Sequence, residues 1–225
     1  MKWIFLVCAL FVWSNALAQK RGYDTIPNVP DHYKVRLAKF RTEPVVLDKI
    51  MFVGNSITEG GNWRRLLKDS TVINRGISGD NTFGLLNRLD EINRFKPAKL
   101  FLLIGVNDLS KNIPNAATIE NIFSIVSQLH AGSPKTKIYV QSLLPVNPGV
   151  KGFMTRFSKQ SDIVEINGQL KKYADILKYE YLDIHSYFKD SKEMLDAKYT
   201  YDGLHLNRAG YDHWVEYLRK NSYID

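Results

Sequence analysis

The chain contains a single cysteine, Cys8, and it lies within the apolar start of the sequence. Downstream of it no thiol remains for a disulfide, a thiolate nucleophile or a soft-metal site, so the fold must rely on its core. Histidine is scarce too, and His32, His130 and His213 share no metal-ligand spacing with one another or with carboxylates; no metal site is expected. Basic residues outnumber acidic ones, 31 to 23, for a formal charge of +8. Yet no block of five or six like charges occurs. The pairs Lys20-Arg21, Arg64-Arg65 and Lys171-Lys172 are scattered, which suits a solvated basic surface and not a nucleic-acid module. No apolar run approaches the roughly 20 residues that cross a bilayer. Repeats, low-complexity tracts and internal linkers are likewise absent.

What is present begins with a short positive end, Met1-Lys2, an apolar run from Trp3 to Trp13, and Ala16-Leu-Ala18 before Gln19. That is the pattern of a cleaved secretory signal, residues 1–18, and it predicts an exported protein, periplasmic or secreted, with no stable membrane insertion after cleavage. Residues 19–48 carry Pro27, Pro30 and Pro44 and read as an irregular N-terminal arm. From Lys49 a rhythm sets in over 49–225. Short apolar runs at 49–53, 72–74, 99–104, 137–143 and 181–184 alternate with stretches of helical spacing at 82–95, 118–129, 162–177 and 208–219. Strands alternating with helices imply right-handed crossovers and one α/β domain, with a parallel sheet of about five strands covered on both faces.

Ligands of such sheets bind beyond the carboxyl ends of the strands. The residues that follow the runs are Gly54-Asn-Ser56, Arg75-Gly-Ile-Ser-Gly79-Asp80, Gly105-Val-Asn107-Asp108 and Pro145-Val-Asn147, with Tyr201-Asp202-Gly-Leu-His205 before the last helix. A serine hydroxyl attacks well only when a base takes its proton. Histidine is the usual base, oriented by a carboxylate on its far nitrogen. Asp202 and His205, three residues apart, can share one turn with the ring facing Ser56. The oxyanion formed on attack needs donors aimed at it beforehand. The backbone N–H groups of Gly79 and Ser56 and the side-chain amide of Asn107 are candidates.

The four blocks "VGNSITEG", "NRGISGD", "IGVND" and "DGLHL" resemble, in order and at similar separations, those of the SGNH, or GDSL, hydrolase family. They span Val53 to Leu206. The resemblance implies a flavodoxin-like three-layer α/β/α sandwich, Ser56 as nucleophile, Asp202 and His205 as orienter and base, and an oxyanion hole of Ser56, Gly79 and Asn107. It implies no metal and no cofactor. The variant here is most similar to exported bacterial acylhydrolases of the sialate O-acetylesterase and platelet-activating-factor acetylhydrolase-like group. The chain departs from the family at Asn55, where Asp is usual. Its serine also stands outside any Gly-x-Ser-x-Gly elbow.

The expected activity is hydrolysis of short-chain, acetyl-type esters of a small molecule or glycan, with carbohydrate as the first choice, through a covalent acyl-enzyme and a Ser-His-Asp triad. A lysophospholipase-type or other small lipid ester hydrolase is the alternative, and a non-catalytic carbohydrate-binding module is a reading of another class. Trp63, Asn147 and Tyr201 are candidate substrate contacts, though Trp63 serves equally as core. Gly76 rivals Gly79 as a donor. Asp108 reads as a structural carboxylate, and Asp183 with His185 as structural or rim-lining residues and not a second acid–base pair.

Overall fold

The structure, a computed structural model, describes residues 29–225, so the expected signal segment lies outside the described residues. Five strands, β1 Ile50–Gly54, β2 Ile73–Gly76, β3 Lys99–Leu103, β4 Lys137–Gln141 and β5 Glu180–Leu182, form one sheet in the order β2-β1-β3-β4-β5. Every pairing is parallel. This is the flavodoxin-like order, whose switch point falls at β1 and β3. β1, β3 and β4 are buried almost throughout because helices cover both faces, which accounts for their unbroken apolar character.

Ten α-helices accompany the strands among the described residues: α1 Asp31–Thr42, α2 Ser56–Glu59, α3 Trp63–Leu67, α4 Thr82–Leu86, α5 Leu89–Asn93, α6 Val106–Ser110, α7 Asn115–Gly132, α8 Gln160–Leu177, α9 Ile184–Phe188 and α10 Arg208–Lys220. α4, α5 and α8 pack on α7, and α3 and α9 pack on α10. Between sheet and helices, neighbouring strands align Phe52, Phe101 and Tyr139 in register, their rings stacked 4.8 and 4.6 Å apart. Trp63 extends the stack onto Phe52 at 3.8 Å and meets Trp214 edge-on at 4.9 Å. Each such pair adds about 0.5–1.5 kcal/mol beyond its buried area, so this ladder fixes strand register from the core side.

Two expectations are corrected. The described part of the arm read as irregular contains α1, and this helix packs into the domain. Tyr33, Phe40 and Ile77 form a satellite cluster, Tyr33 Oη donates to the Gly84 carbonyl at 2.7 Å, and Phe40 covers the Arg75 guanidinium at 4.4 Å. Its charged residues are also contacts, which is why apolar periodicity missed it. Arg36, for example, donates to the Gly76 carbonyl at 3.0 Å. The helix expected over 82–95 breaks at Arg88, where φ is −130° and ψ 17°. That side chain turns inward instead of following the helical face.

Candidate active site

β1 ends at Gly54, and the next two residues turn the chain so that Ser56 opens α2. Asn55 makes the turn: its Oδ1 accepts the Ile57 N–H at 3.0 Å. A short polar side chain is suited to this capping bond. The Asn in place of the usual Asp therefore retains the cap, while its Nδ2 is buried without a partner among the described residues. Ser56 Oγ lies 2.9 Å from His205 Nε2, although 149 positions separate them in sequence. His205 Nδ1 lies 2.7 Å from Asp202 Oδ2. The three side chains form one hydrogen-bonded chain from hydroxyl to carboxylate.

Backbone bonds hold the Asp202–His205 turn. Asp202 Oδ1 accepts from the N–H groups of Leu204 and His205 at 3.0 and 2.7 Å, and Oδ2 is left for the ring. Thr200 Oγ1 donates to the His205 carbonyl at 2.6 Å and accepts from Gly203 N at 2.8 Å. Gly203 has φ +81°, and a Cβ there would stand 2.2 Å from the Asn147 carbonyl oxygen. The turn thus needs glycine twice over. Burial alone would raise the Asp202 carboxyl. The hydrogen bonds from the His205 ring, His205 N–H and Leu204 N–H outweigh it and hold the group below its ordinary value.

Gly79 follows β2 with φ +80° and free space where a Cβ would point. Gly76 is packed instead, its Cβ position 2.2 Å from the Glu59 backbone nitrogen. Of the two glycines, only Gly79 leaves its surface open to a ligand. Asn107 lies in the first turn of α6, and its Nδ2 donates to the Asp80 carbonyl at 2.8 Å. An amide nitrogen has two protons, so this bond orients the group and leaves one proton to give. Asp108 is fully buried against Thr82, accepting its hydroxyl at 2.5 Å and its N–H at 3.1 Å. Burial pushes its carboxyl up to about 7. This is the structural role expected of it.

The candidate substrate contacts divide. Tyr201 is 63% exposed, and its ring lies parallel to that of His205, the centroids 5.8 Å apart. Trp63 is only 1% exposed, stacked on Phe52, with its Nε1 donating to the Thr58 carbonyl at 2.8 Å. It belongs to the core because the apolar ladder offers a large flat ring more contact than the rim does. Asn147 is also turned away from a substrate role. Its Nδ2 donates to the Leu195 carbonyl at 2.7 Å and its Oδ1 accepts from Gly149 N at 3.0 Å, so backbone uses both ends of the amide. Its own N–H donates to the Gly203 carbonyl at 2.8 Å, which supports the Asp202 turn from behind. Asp183 caps α9 through Ser186, whereas His185 Nδ1 sits 2.9 Å from the Leu143 carbonyl oxygen; the two form no pair.

Sequence reasoning missed the ionic layer beneath these loops. Arg88, Asp80, Arg75 and Glu91 are all buried and mutually paired. The sequence offered no signal for it, since the apolar spacing of 82–95 runs unbroken past Arg88. Thr200 was missed too, since a threonine two residues before Asp202 carries no distinctive pattern.

The GDSL-like Lipase/Acylhydrolase family matches residues 52–213. A rat platelet-activating factor acetylhydrolase IB subunit alpha2 is 28% identical over 168 residues, covering 72% of this chain and 70% of the relative. Among solved structures, a Streptococcus pneumonia protein provisionally described as a platelet activating factor is 28% identical, covers 85% of this chain and 92% of its own, and gives a TM-score of 0.76. A GDSL-like lipase from Bacteroides thetaiotaomicron VPI-5482 is 25% identical, with coverage of 84% and 96% and a TM-score of 0.69. The parallel sheet, the blocks at its strand ends and these matches agree: the chain belongs to the GDSL-like lipase/acylhydrolase family and is a carboxylic ester hydrolase.

Proposed function

We propose that the protein hydrolyses short-chain esters, above all acetyl esters of carbohydrate alcohols, through a covalent acyl-enzyme on Ser56. The observation that carries this reading is the hydrogen-bonded chain Ser56–His205–Asp202. Ser56 Oγ attacks the ester carbonyl carbon while His205 Nε2 takes the hydroxyl proton. The resulting imidazolium is stabilised by Asp202, and the oxyanion by the N–H groups of Ser56 and Gly79 and the free proton of Asn107. Collapse breaks the bond to the alcohol, which leaves with the proton from His205. Water, activated by the same ring, then releases the acid and frees Ser56.

The acetyl preference is supported by the acetylhydrolase relative. The carbohydrate alcohol is supported by Tyr201. An exposed ring parallel to the base offers a flat apolar face with a polar tip, which suits a sugar ring that has one face of C–H groups and a rim of hydroxyls. The charged start, apolar run and Ala16-Leu-Ala18 support export, with the reaction in the periplasm or the medium.

The test compares kcat/KM for an O-acetylated oligosaccharide with that for a glycerophospholipid bearing an acetyl group. At least a tenfold advantage for the sugar is expected. Preference for the phospholipid would replace the carbohydrate reading with the small-lipid one, and activity on neither would remove both.

A further inference from the structure

The reading above names three oxyanion donors on three different loops, which follow β1, β2 and β3. Something must hold those loops in register, and one buried side chain bonds the ends of β1 and β2 directly and meets the loop of Asn107 through Asp80. Arg88 is 0% exposed and occupies the break between α4 and α5. Its Nη2 lies 3.1 Å from the Gly54 carbonyl oxygen, two residues before Ser56, and 3.0 Å from the Arg75 carbonyl oxygen near the end of β2. Nε and Nη2 stand 2.9 and 2.8 Å from Asp80 Oδ2. Asp80 directly follows Gly79, and its own carbonyl accepts Asn107 Nδ2 at 2.8 Å.

From this geometry we infer that Arg88 is a positioning residue for the oxyanion hole, a buried clamp that joins the loops of Ser56, Gly79 and Asn107 through Asp80. It does not touch substrate. The planar guanidinium can bridge divergent acceptors on two strand ends and one carboxylate, whereas a lysine ammonium on a flexible stem cannot reproduce that fork. The break in the helix follows from the same role. A regular turn at 88 would carry the side chain along the helix face, away from the strand ends. Burial pushes the Asp80 carboxyl up to about 6 even though Arg88 beside it acts to lower it. Stability alone is a poor reason to keep such a pair, because an apolar replacement of similar volume often serves as well.

The inference rests on Ser56 acting as the nucleophile, and the experiment separates the two claims. Arg88→Lys retains the buried charge opposite Asp80, and Arg88→Ala empties the site. For each, the fold is checked by circular dichroism and thermal melting, and kcat and KM are measured on p-nitrophenyl acetate beside Ser56→Ala. Folded Arg88→Lys should lose at least about 50-fold in kcat with KM within about threefold, since misaligned donors act on the transition state. Adding about 50 mM guanidinium chloride, far below the molar range that unfolds proteins, should recover at least about tenfold of kcat in Arg88→Ala, with sodium chloride giving no recovery. A residue that merely stabilised the fold would show neither the kcat-only loss nor the guanidinium recovery. Folded Arg88→Lys with kcat within about threefold of the parent overturns the clamp, and it decides the matter if Arg88→Ala does not fold. A folded Arg88→Ala without recovery also overturns it. Turnover persisting in Ser56→Ala would overturn the nucleophile assignment instead, whatever Arg88 does.

Discussion

The two halves of the site are built differently. Ser56, Gly79 and Asn107 stand beyond the carboxyl ends of the neighbouring parallel strands β1, β2 and β3, over a floor of fully buried polar groups: Arg88 with Asp80, and Asp108 with Thr82. Asp202 and His205 stand on an outer turn with side chains 20% and 21% exposed, shaped by Thr200, by the bonds of Asp202 to its own turn, and by Asn147 behind. The contrast fits the chemistry proposed for these residues. Donors that meet a developing negative charge work best when fixed before reaction. An acid–base group must exchange protons with water and admit the alcohol, so it needs a solvent face. One half is held by ions sealed in the fold, the other by turn hydrogen bonds at its edge.

This contrast can be broken from either side. The largest loss is expected on the outer turn with Asp202→Asn, which keeps the shape but frees the ring tautomer. kcat should fall by about 10⁴-fold with near-native melting. A loss below tenfold would show that the ring is oriented by something other than Asp202. On the inner side, Asn107→Ala removes one fixed donor, and kcat should drop on the order of 10²–10³-fold with KM little changed. If KM rises while kcat holds, Asn107 binds ground state and not oxyanion.

Two smaller effects are expected. Tyr201→Ala should raise KM for acetylated oligosaccharides by about three- to tenfold, the loss of about 1 kcal/mol of ring contact, and leave p-nitrophenyl acetate nearly unaffected. Equal effects on both substrates would place Tyr201 with His205 rather than with the sugar. The smallest effect concerns stability under the inner half. The Asp108 carboxyl titrates near 7 in the fold against 3.8 ordinarily, so the folded state holds the extra proton between those values. Stability therefore declines as pH rises through that window, and the charge of buried Asp108 is present in full above it. Asp108→Asn has no such charge. Its melting temperature relative to the parent should climb by a few degrees between pH 5 and pH 8, each kcal/mol being about 2–4 °C at this size. Asp80, raised to about 6, titrates with the same sign and keeps part of the slope in both proteins. A difference that stays flat with pH would mean Asp108 does not titrate in that window.

How far the sequence carried this picture follows the same division. β1, β3 and β4 were legible because burial on both faces leaves apolar runs, while the edge strands β2 and β5 overlap the shorter runs expected at 72–74 and 181–184. The candidate residues stood out because the chemistry asks for distinctive types at set places, Ser56, Gly79 and Asn107 beyond strand ends and Asp202 with His205 before the last helix, and the fold brings Ser56, His205 and Asp202 within hydrogen-bond reach. Trp63 was ambiguous in sequence since a large ring suits a core and a rim equally. Only the stack on Phe52 decides it. α1 was hidden because charged residues make part of its contact with the domain, with Arg36 3.2 Å from Glu59 on the helix that carries Ser56. Arg88 was hidden for the opposite reason. A buried arginine has no period, and its meaning lies in acceptors 8 to 34 positions away.

The most direct test of the account is hydrolysis of p-nitrophenyl esters from acetyl to decanoyl by the protein and by Ser56→Ala. Turnover should be fastest on acetyl and decline with chain length, with a loss on the order of 10⁶-fold in the variant while its fold stays intact. Turnover that survives in Ser56→Ala, or a complete lack of turnover on every ester by the parent protein, would contradict it.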